Sequence, residues 1–413
     1  MDIAPSVSIY TADFCIAFQN AAGGPQLKSY RWLRMVCLCI IWGLLSSGQA
    51  IKLLGTWKGL ALCILFPILS AGVLLVLERR PEWGGSLSVA AALGVCWLLA
   101  AVAYFVLHPM SQKHIFGPGS DRENAVQVAS RALFSGHFPY RQLTFLHHPI
   151  TPMPGALLLA SPFYLIGQVG LQNLLWLAIF LYWIYRFIGS SWIEVWYVYV
   201  FVLVNPCIMQ DFVTGGEFFT NFIYVIVILT LVLSALKKGQ DGWGVWVWPL
   251  LLGIALASRP IYSLVYPCFV AYALQSSNRW IAVRTIALTL IAQLCVILPV
   301  YSRDPAHFMP FRAGSNAYSL LPVWLHPAIF TFAAGLLIAS TGFFVRLNLR
   351  RVLLILGCAL ALVTLPFFVV DRIVNPDLFP LINLIYLSPG LLLIGIWLLS
   401  VPKTAQTQND PLT

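Results

Sequence analysis

Runs of about 20 apolar residues recur along the whole length of this chain, the span a helix needs to cross about 30 Å of hydrocarbon. Twelve such segments fall near residues 33–50, 59–77, 86–107, 170–187, 193–213, 218–236, 244–258, 260–275, 283–301, 321–343, 352–370 and 380–400. Only 9% of the residues are charged and 60% are hydrophobic, whereas a soluble domain carries about 25% charged residues. The pattern predicts an all-α, polytopic membrane protein with about twelve transmembrane helices, eleven to thirteen allowing for ambiguous segments. Residues 1–29 lack a basic stretch leading into a cleavable apolar core and read as a polar tail. One membrane domain over 30–402 and a short tail over 403–413 complete the organisation.

A thirteenth stretch, "PMPGALLLASPFYLIG" (Pro152–Gly167), carries three prolines. Whether it crosses fixes the side of everything after it, and basic residues decide the matter because they concentrate in cytoplasmic loops. If it does not cross, 14 Lys and Arg lie inside against 10 outside, and 9 against 4 beyond residue 152. If it crosses, Lys237-Lys238 and the Arg346/Arg350/Arg351 cluster fall outside. The first arrangement is the expectation, with Pro152–Gly167 interfacial or re-entrant and both termini cytoplasmic. The net charge of +10 then reads as topology signals scattered between spans, with no nucleic-acid partner. Eight of nine cysteines lie in or beside apolar runs and Cys15 in the tail, which offers neither a disulfide framework nor a zinc motif. In this arrangement all seven histidines fall at or near the outer face, together with Asp121, Glu123, Asp211, Glu217, Asp304, Asp371 and Asp377. Any chemistry is extracytoplasmic.

The first large outer loop, 108–169, holds the least membrane-like sequence, "GPGSDRENAVQVASRALFSGHFPY" (Gly117–Tyr140). Ser120 and Glu123 fit a capping box for a helix start. Ala125, Val126, Val128, Ala129, Ala132 and Leu133 follow at helical spacing, with Asn124, Gln127, Ser130 and Arg131 opposite. This predicts an amphipathic helix in the membrane interface, ending near Gly136. Asp121 and Glu123 either cap that helix or act on a substrate. An acid held beside an apolar groove can take a proton from an acceptor hydroxyl.

An acid, an alanine-rich amphipathic helix, Gly136-x-x-Pro139-Tyr140 and then "HHPITPMPGALLLASPFYLIG" together resemble the GT-C superfamily of membrane glycosyltransferases, most closely the polyprenol-phosphate-mannose-dependent mannosyltransferases. "NPCIMQDFVTGGEFFTN" (Asn205–Asn221) is similar to the Asn-Pro and Gly-Gln-x-Asn region of that family, and "LGIALASRP" to its Gly-Leu-Ala-x-x-x-Lys-Pro region. Two departures stand out: Gly216-Glu217 where Gly-Gln is usual, and Arg259 where Lys is usual. The resemblance implies inverting transfer of a mannose-like hexose or arabinose from a polyprenyl-phosphate donor to a lipid or glycan acceptor on the outer face. It also implies Asp121 as the base, cations on the departing lipid phosphate, and no nucleotide or other required cofactor.

Around that core, Glu123, Tyr140, His147, His148, Glu217, Asn221, Arg259, Arg303, His307 and Arg312 are the substrate-binding candidates. Arg259 either binds phosphate or snorkels. Arg303, His307 and Arg312, in the second outer loop at 302–320, either clamp phosphate or lie in a solvated loop. His147-His148 suits hydrogen bonding to acceptor or phosphate better than a metal, because adjacent histidines do not easily face one ion. A divalent ion is left open. Asp371, Arg372 and Asp377 are expected to pair with one another. The competing classes are a polytopic transporter or lipid flippase and an inactive GT-C relative. A transporter usually binds near the midplane, whereas ionisable residues here gather at the outer rim. No Asn-x-Ser/Thr site occurs, which favours a bacterial inner membrane.

Overall fold

The computed structural model describes residues 26–79, 86–113, 120–189, 191–238, 242–312, 327–374 and 384–400. Among them the chain is helical, with no strand and one isolated bridge between Leu143 and Pro149. The helices are α1 (Gln26–Leu54), α2 (Thr56–Arg79), α3 (Ser86–Gln112), α4 (Arg122–Phe134), α5 (Pro154–Leu165), α6 (Gln172–Trp183), α7 (Trp192–Val198), α8 (Pro206–Val213), α9 (Phe218–Lys238), α10 (Gly244–Leu256), α11 (Val265–Ser276), α12 (Arg279–Tyr301), α13 (Pro327–Ser340), α14 (Leu349–Val374) and α15 (Ser388–Leu399). Single wide turns extend α6 to Ile188 and α7 to Leu203.

Among the described residues six helical stretches are long and apolar enough to cross a membrane: Trp32–Lys52, Thr56–Arg79, Ser88–Gln112, Val169–Ile188, Phe218–Lys238 and Arg279–Tyr301. The bent pair Trp192–Leu203 and Pro206–Val213, angled at 68°, makes seven if it counts as one span. The predicted segment 193–213 is therefore broken. Pro206 removes a backbone N–H, and Asn205 starts a new helix by accepting hydrogen bonds from the Cys207 and Ile208 amides. Helix α10, at 13 residues, and α5 and α11, at 12 each, rise about 1.5 Å per residue and fall short of about 30 Å.

Lipid-facing and central helices differ by what they bury. On α2, Ile64, Leu65, Ile68, Leu69 and Val73 are exposed while Gly59, Pro67, Ser70 and Leu74 face inward. Small residues inside and large apolar residues outside suit a hydrocarbon solvent, where close backbone approach rather than water exclusion drives packing. Helix α9 is the opposite case, with 83% of its apolar window buried. Indole N–H groups tie helices across the bundle, Trp42 to the Val200 carbonyl at 2.8 Å and Trp97 to the Leu174 carbonyl at 2.9 Å.

A second, smaller core lies under the first loop: Val126 and Ala129 of α4, Tyr140, Ile150, Met153 and Leu157, closed by Ile297, Val300 and Phe308. Helix α4 buries Ala125, Val126, Ala129 and Ala132, as its periodicity predicts, and also Ser130. It ends at a left-handed Gly136 (φ 74). There the His137 amide reaches the Ala132 carbonyl and the Gly136 amide the Leu133 carbonyl, the paired bonds of a Schellman stop.

Candidate functional site

The start of α4 corrects one expectation. Asp121, not Ser120, occupies the N-cap position, with no side-chain cap bond, so the capping box is not formed. Glu123 turns inward and accepts from His108 Nε2 (2.8 Å), Gln112 Nε2 (2.6 Å) and the Gly170 amide (2.9 Å). Buried carboxylates need such partners. Here they join the end of α3, the start of α4 and the turn before α6. Glycine at 215 (φ 71) and at 170 leaves room for that carboxylate.

Beside this junction lies a cavity of about 370 Å³. Its wall is assembled from the outer-face ends assigned by charge: the end of α1 (Gln49, Lys52), the start of α4 (Asp121, Arg122), the 144–152 loop, α8 with Glu217, Arg259, and Tyr386 before α15. Three carboxylates line it, and they are held differently. Asp211 takes Arg122 Nη1 on Oδ1 at 2.6 Å and the Phe219 amide on Oδ2 at 3.0 Å. Glu217 pairs with Arg259, whose Nη1 also donates to Thr151 Oγ1 at 3.1 Å. Both acids are almost wholly buried, with side chains 1% and 2% exposed.

The Phe218 ring sits between the two guanidinium groups, 5.7 Å from Arg122 and 5.3 Å from Arg259. Each cation thus meets a π face as well as a carboxylate. Burial works against the Arg122 cation, but Asp211 and Tyr386 more than offset it and hold its pKa above the ordinary arginine value.

Asp121 has no guanidinium partner among the described residues. Its Oδ2 accepts from Thr144 Oγ1 at 2.5 Å and lies 2.9 Å from His148 Nδ1, and its side chain is 16% exposed. Both contacts fall on one oxygen, so Oδ1 keeps its capacity to accept. The loop that supplies these partners is itself fixed. Thr144 and His148 exchange bonds through the Thr144 amide and the His148 amide (3.0 and 3.1 Å), and the Phe145 amide donates to Asn124 Oδ1 at 3.0 Å. His147 turns the chain at φ 60, a left-handed value that costs a non-glycine residue strain.

Of the residues singled out in the sequence, Asp121, His148, Glu217 and Arg259 line the cavity. Glu123, Tyr140, His147, Asn221, Arg303, His307 and Arg312 do not. Tyr140 is buried, donating to the Pro152 carbonyl at 3.0 Å and packing on Phe308, so Pro-Tyr anchors the loop. Asn221 is buried one turn along α9 from Glu217 and accepts from Tyr224. Arg303 reaches the Gly136 carbonyl at 3.4 Å. His307 holds Asp304, which also accepts from Arg141 at 2.6 Å; hydrogen bonds from His307, then Arg141, keep Asp304 below the usual carboxylate range. This cluster ties the second outer loop to the first. Residues 313–320 of that loop, and the side chains of Asp371, Arg372 and Asp377, lie outside the described residues.

Arg122, Thr144, Thr151, Lys52 and Tyr386 are among the lining residues that sequence reasoning missed. Arg122 follows Asp121 directly, but nothing in the chain signals a partner 89 positions away. Among the described residues no three His, Cys, Asp or Glu side chains are placed to hold a metal ion. No family model, curated protein or solved structure matches the chain.

Proposed function

We propose that this protein is a membrane glycosyltransferase of GT-C type with about twelve spans. It moves a sugar from a polyprenyl-phosphate donor to a hydroxyl of a lipid or glycan acceptor at the extracytoplasmic face of a bacterial inner membrane. The observation that carries the reading is the contrast among the cavity's carboxylates. Asp211 and Glu217 are neutralised by guanidinium partners, while Asp121 is steadied by a hydroxyl and an imidazole on one oxygen only. A base must be held still and still be able to bind a proton, and Asp121 meets both conditions.

In this mechanism the acceptor hydroxyl gives its proton to Asp121 Oδ1 as its oxygen attacks the anomeric carbon from the face opposite the phosphate. The bond from that carbon to the phosphate oxygen breaks, the configuration inverts, and polyprenyl phosphate leaves with the bonding electrons. The charge it gains is met by the cations of the wall, Lys52 first, since Arg122 and Arg259 already face carboxylates. The two departures from the family pattern, Glu217 and Arg259, are partners of each other. The carboxylate at 217 is thus met by the cation at 259.

Transfer assays with polyprenyl-phosphate mannose, glucose and arabinose test the class, and no transfer from any of them sinks it. Asp121→Asn is expected to lower kcat about 10²- to 10⁴-fold, the usual contribution of a general base, with donor binding and thermal unfolding unchanged. A flippase would instead move labelled lipid between leaflets with Asp121→Asn fully active.

A further inference from the structure

At the far end of α9, about 30 Å along its 21 residues, lies a second and larger cavity of about 610 Å³. Its wall comes from the last turn of α9 (Leu233, Ser234, Lys237), the end of α11 (Tyr272 to Ser276) and the 343–349 turn into α14. No Asp or Glu lines it, while Lys237 and Arg346 both do. Neither cation has a side-chain partner among the described residues.

The wall is built rather than incidental. Gln275 Nε2 donates to the Gly342 and Val345 carbonyls at 2.9 and 3.0 Å, and its Oε1 accepts from the Leu347 amide at 2.8 Å. One side chain thereby staples the turn to α11. Arg351 then donates to the Arg346 carbonyl at 2.5 Å, fixing the backbone that carries the cation.

A second observation concerns α14, whose N-terminus opens on this cavity through Leu347, Asn348 and Leu349. The positive end of a helix dipole favours acids in the first turn. This helix has none there and begins Leu349-Arg350-Arg351. Asn348 caps it, its Oδ1 accepting from the Arg351 amide at 2.9 Å, and the charge lining the cavity itself, Lys237 and Arg346, is all of one sign. Beside the opening stand Phe343 and Phe344, 47% and 86% exposed, large apolar rings at the surface of a chain built to sit in lipid. Exposed apolar rings beside a basic cavity suit a charged head group whose acyl chains lie alongside.

We propose that this cavity seats the phosphate head group of an anionic phospholipid from the leaflet opposite the Asp121 cavity. The proposal does not rest on transferase activity. Basic pockets between membrane helices recognise such head groups by charge and shape.

The test is native mass spectrometry of the full-length protein released from nanodiscs of equal phosphatidylglycerol and phosphatidylcholine. Phosphatidylglycerol adducts are expected to dominate. Lys237→Gln with Arg346→Gln should cut that preference about tenfold, while Lys237→Arg with Arg346→Lys retains it, all with unchanged thermal unfolding. Equal retention of both lipids overturns the proposal, as does an unchanged preference in the glutamine variant. Inorganic phosphate in millimolar excess is expected to leave the adducts in place. If it removes them completely, the site takes a free anion and the lipid assignment is wrong.

Discussion

Thr144 is the residue whose loss separates positioning from chemistry. Its hydroxyl donates to Asp121 Oδ2 and receives the His148 amide, so a single atom links the candidate base to the loop that carries the imidazole. Thr144→Val keeps the shape and removes both bonds. We expect kcat for sugar transfer to fall about tenfold, equivalent to about 1.4 kcal/mol, with KM for the donor unchanged, as for an interaction made in the transition state alone. A rise in KM with kcat intact would mean that Thr144 holds substrate instead. Glu217 and Arg259 pose a question of stability. Removing one partner leaves a buried charge uncompensated, so Glu217→Gln and Arg259→Gln should each cost about 3–5 kcal/mol, and the double variant should recover part of that. Additive losses in denaturation measurements would show that the two side chains are not coupled.

Short helices meeting end to end create the cavity floor. The amides at the start of α5 donate to the carbonyls just past the end of α10, Met153 to Ser258 at 3.1 Å and Gly155 to Ala257 at 2.9 Å. Unpaired helix ends are thus satisfied within the protein, the condition for irregular backbone at membrane depth. Thr151 and Arg259 flank this junction and meet across it. Gly155 permits the approach, because a Cβ there would collide with the Ile254 and Ala257 carbonyls. Gly155→Ala is expected to destabilise the protein by about 1–3 kcal/mol and to weaken donor binding through Arg259. Wild-type melting and affinity would show that α5 docks more loosely than this.

Across the whole molecule, what was legible in the sequence was periodic or local. The apolar runs, the buried stripe of α4 and its stop at Gly136 all depend on residues within a turn or two of one another. The site depended on pairings 23 to 108 positions apart, such as Thr144 with Asp121 and Arg259 with Thr151, and a hydrophobic pattern carries no record of those. Glu123 shows the cost of local reasoning: a spacing that fits a capping box is filled by a carboxylate with better partners on two other elements.

Charge counting makes one statement about the molecule as a whole. The ends assigned outside converge on the Asp121 cavity, and those assigned inside on the Lys237 cavity, with α9 running between them. The excess of Lys and Arg on the second group predicts that it faces the cytoplasm. His137 is exposed and Gly242 has open space for a side chain, so cysteine at either position reports its side. A membrane-impermeant maleimide should label His137→Cys in right-side-out vesicles and Gly242→Cys in inverted ones. The reverse pattern would put Asp121 on the cytoplasmic face and remove the case for an extracytoplasmic donor. Labelling of both positions from one side would mean that α9 does not cross the membrane.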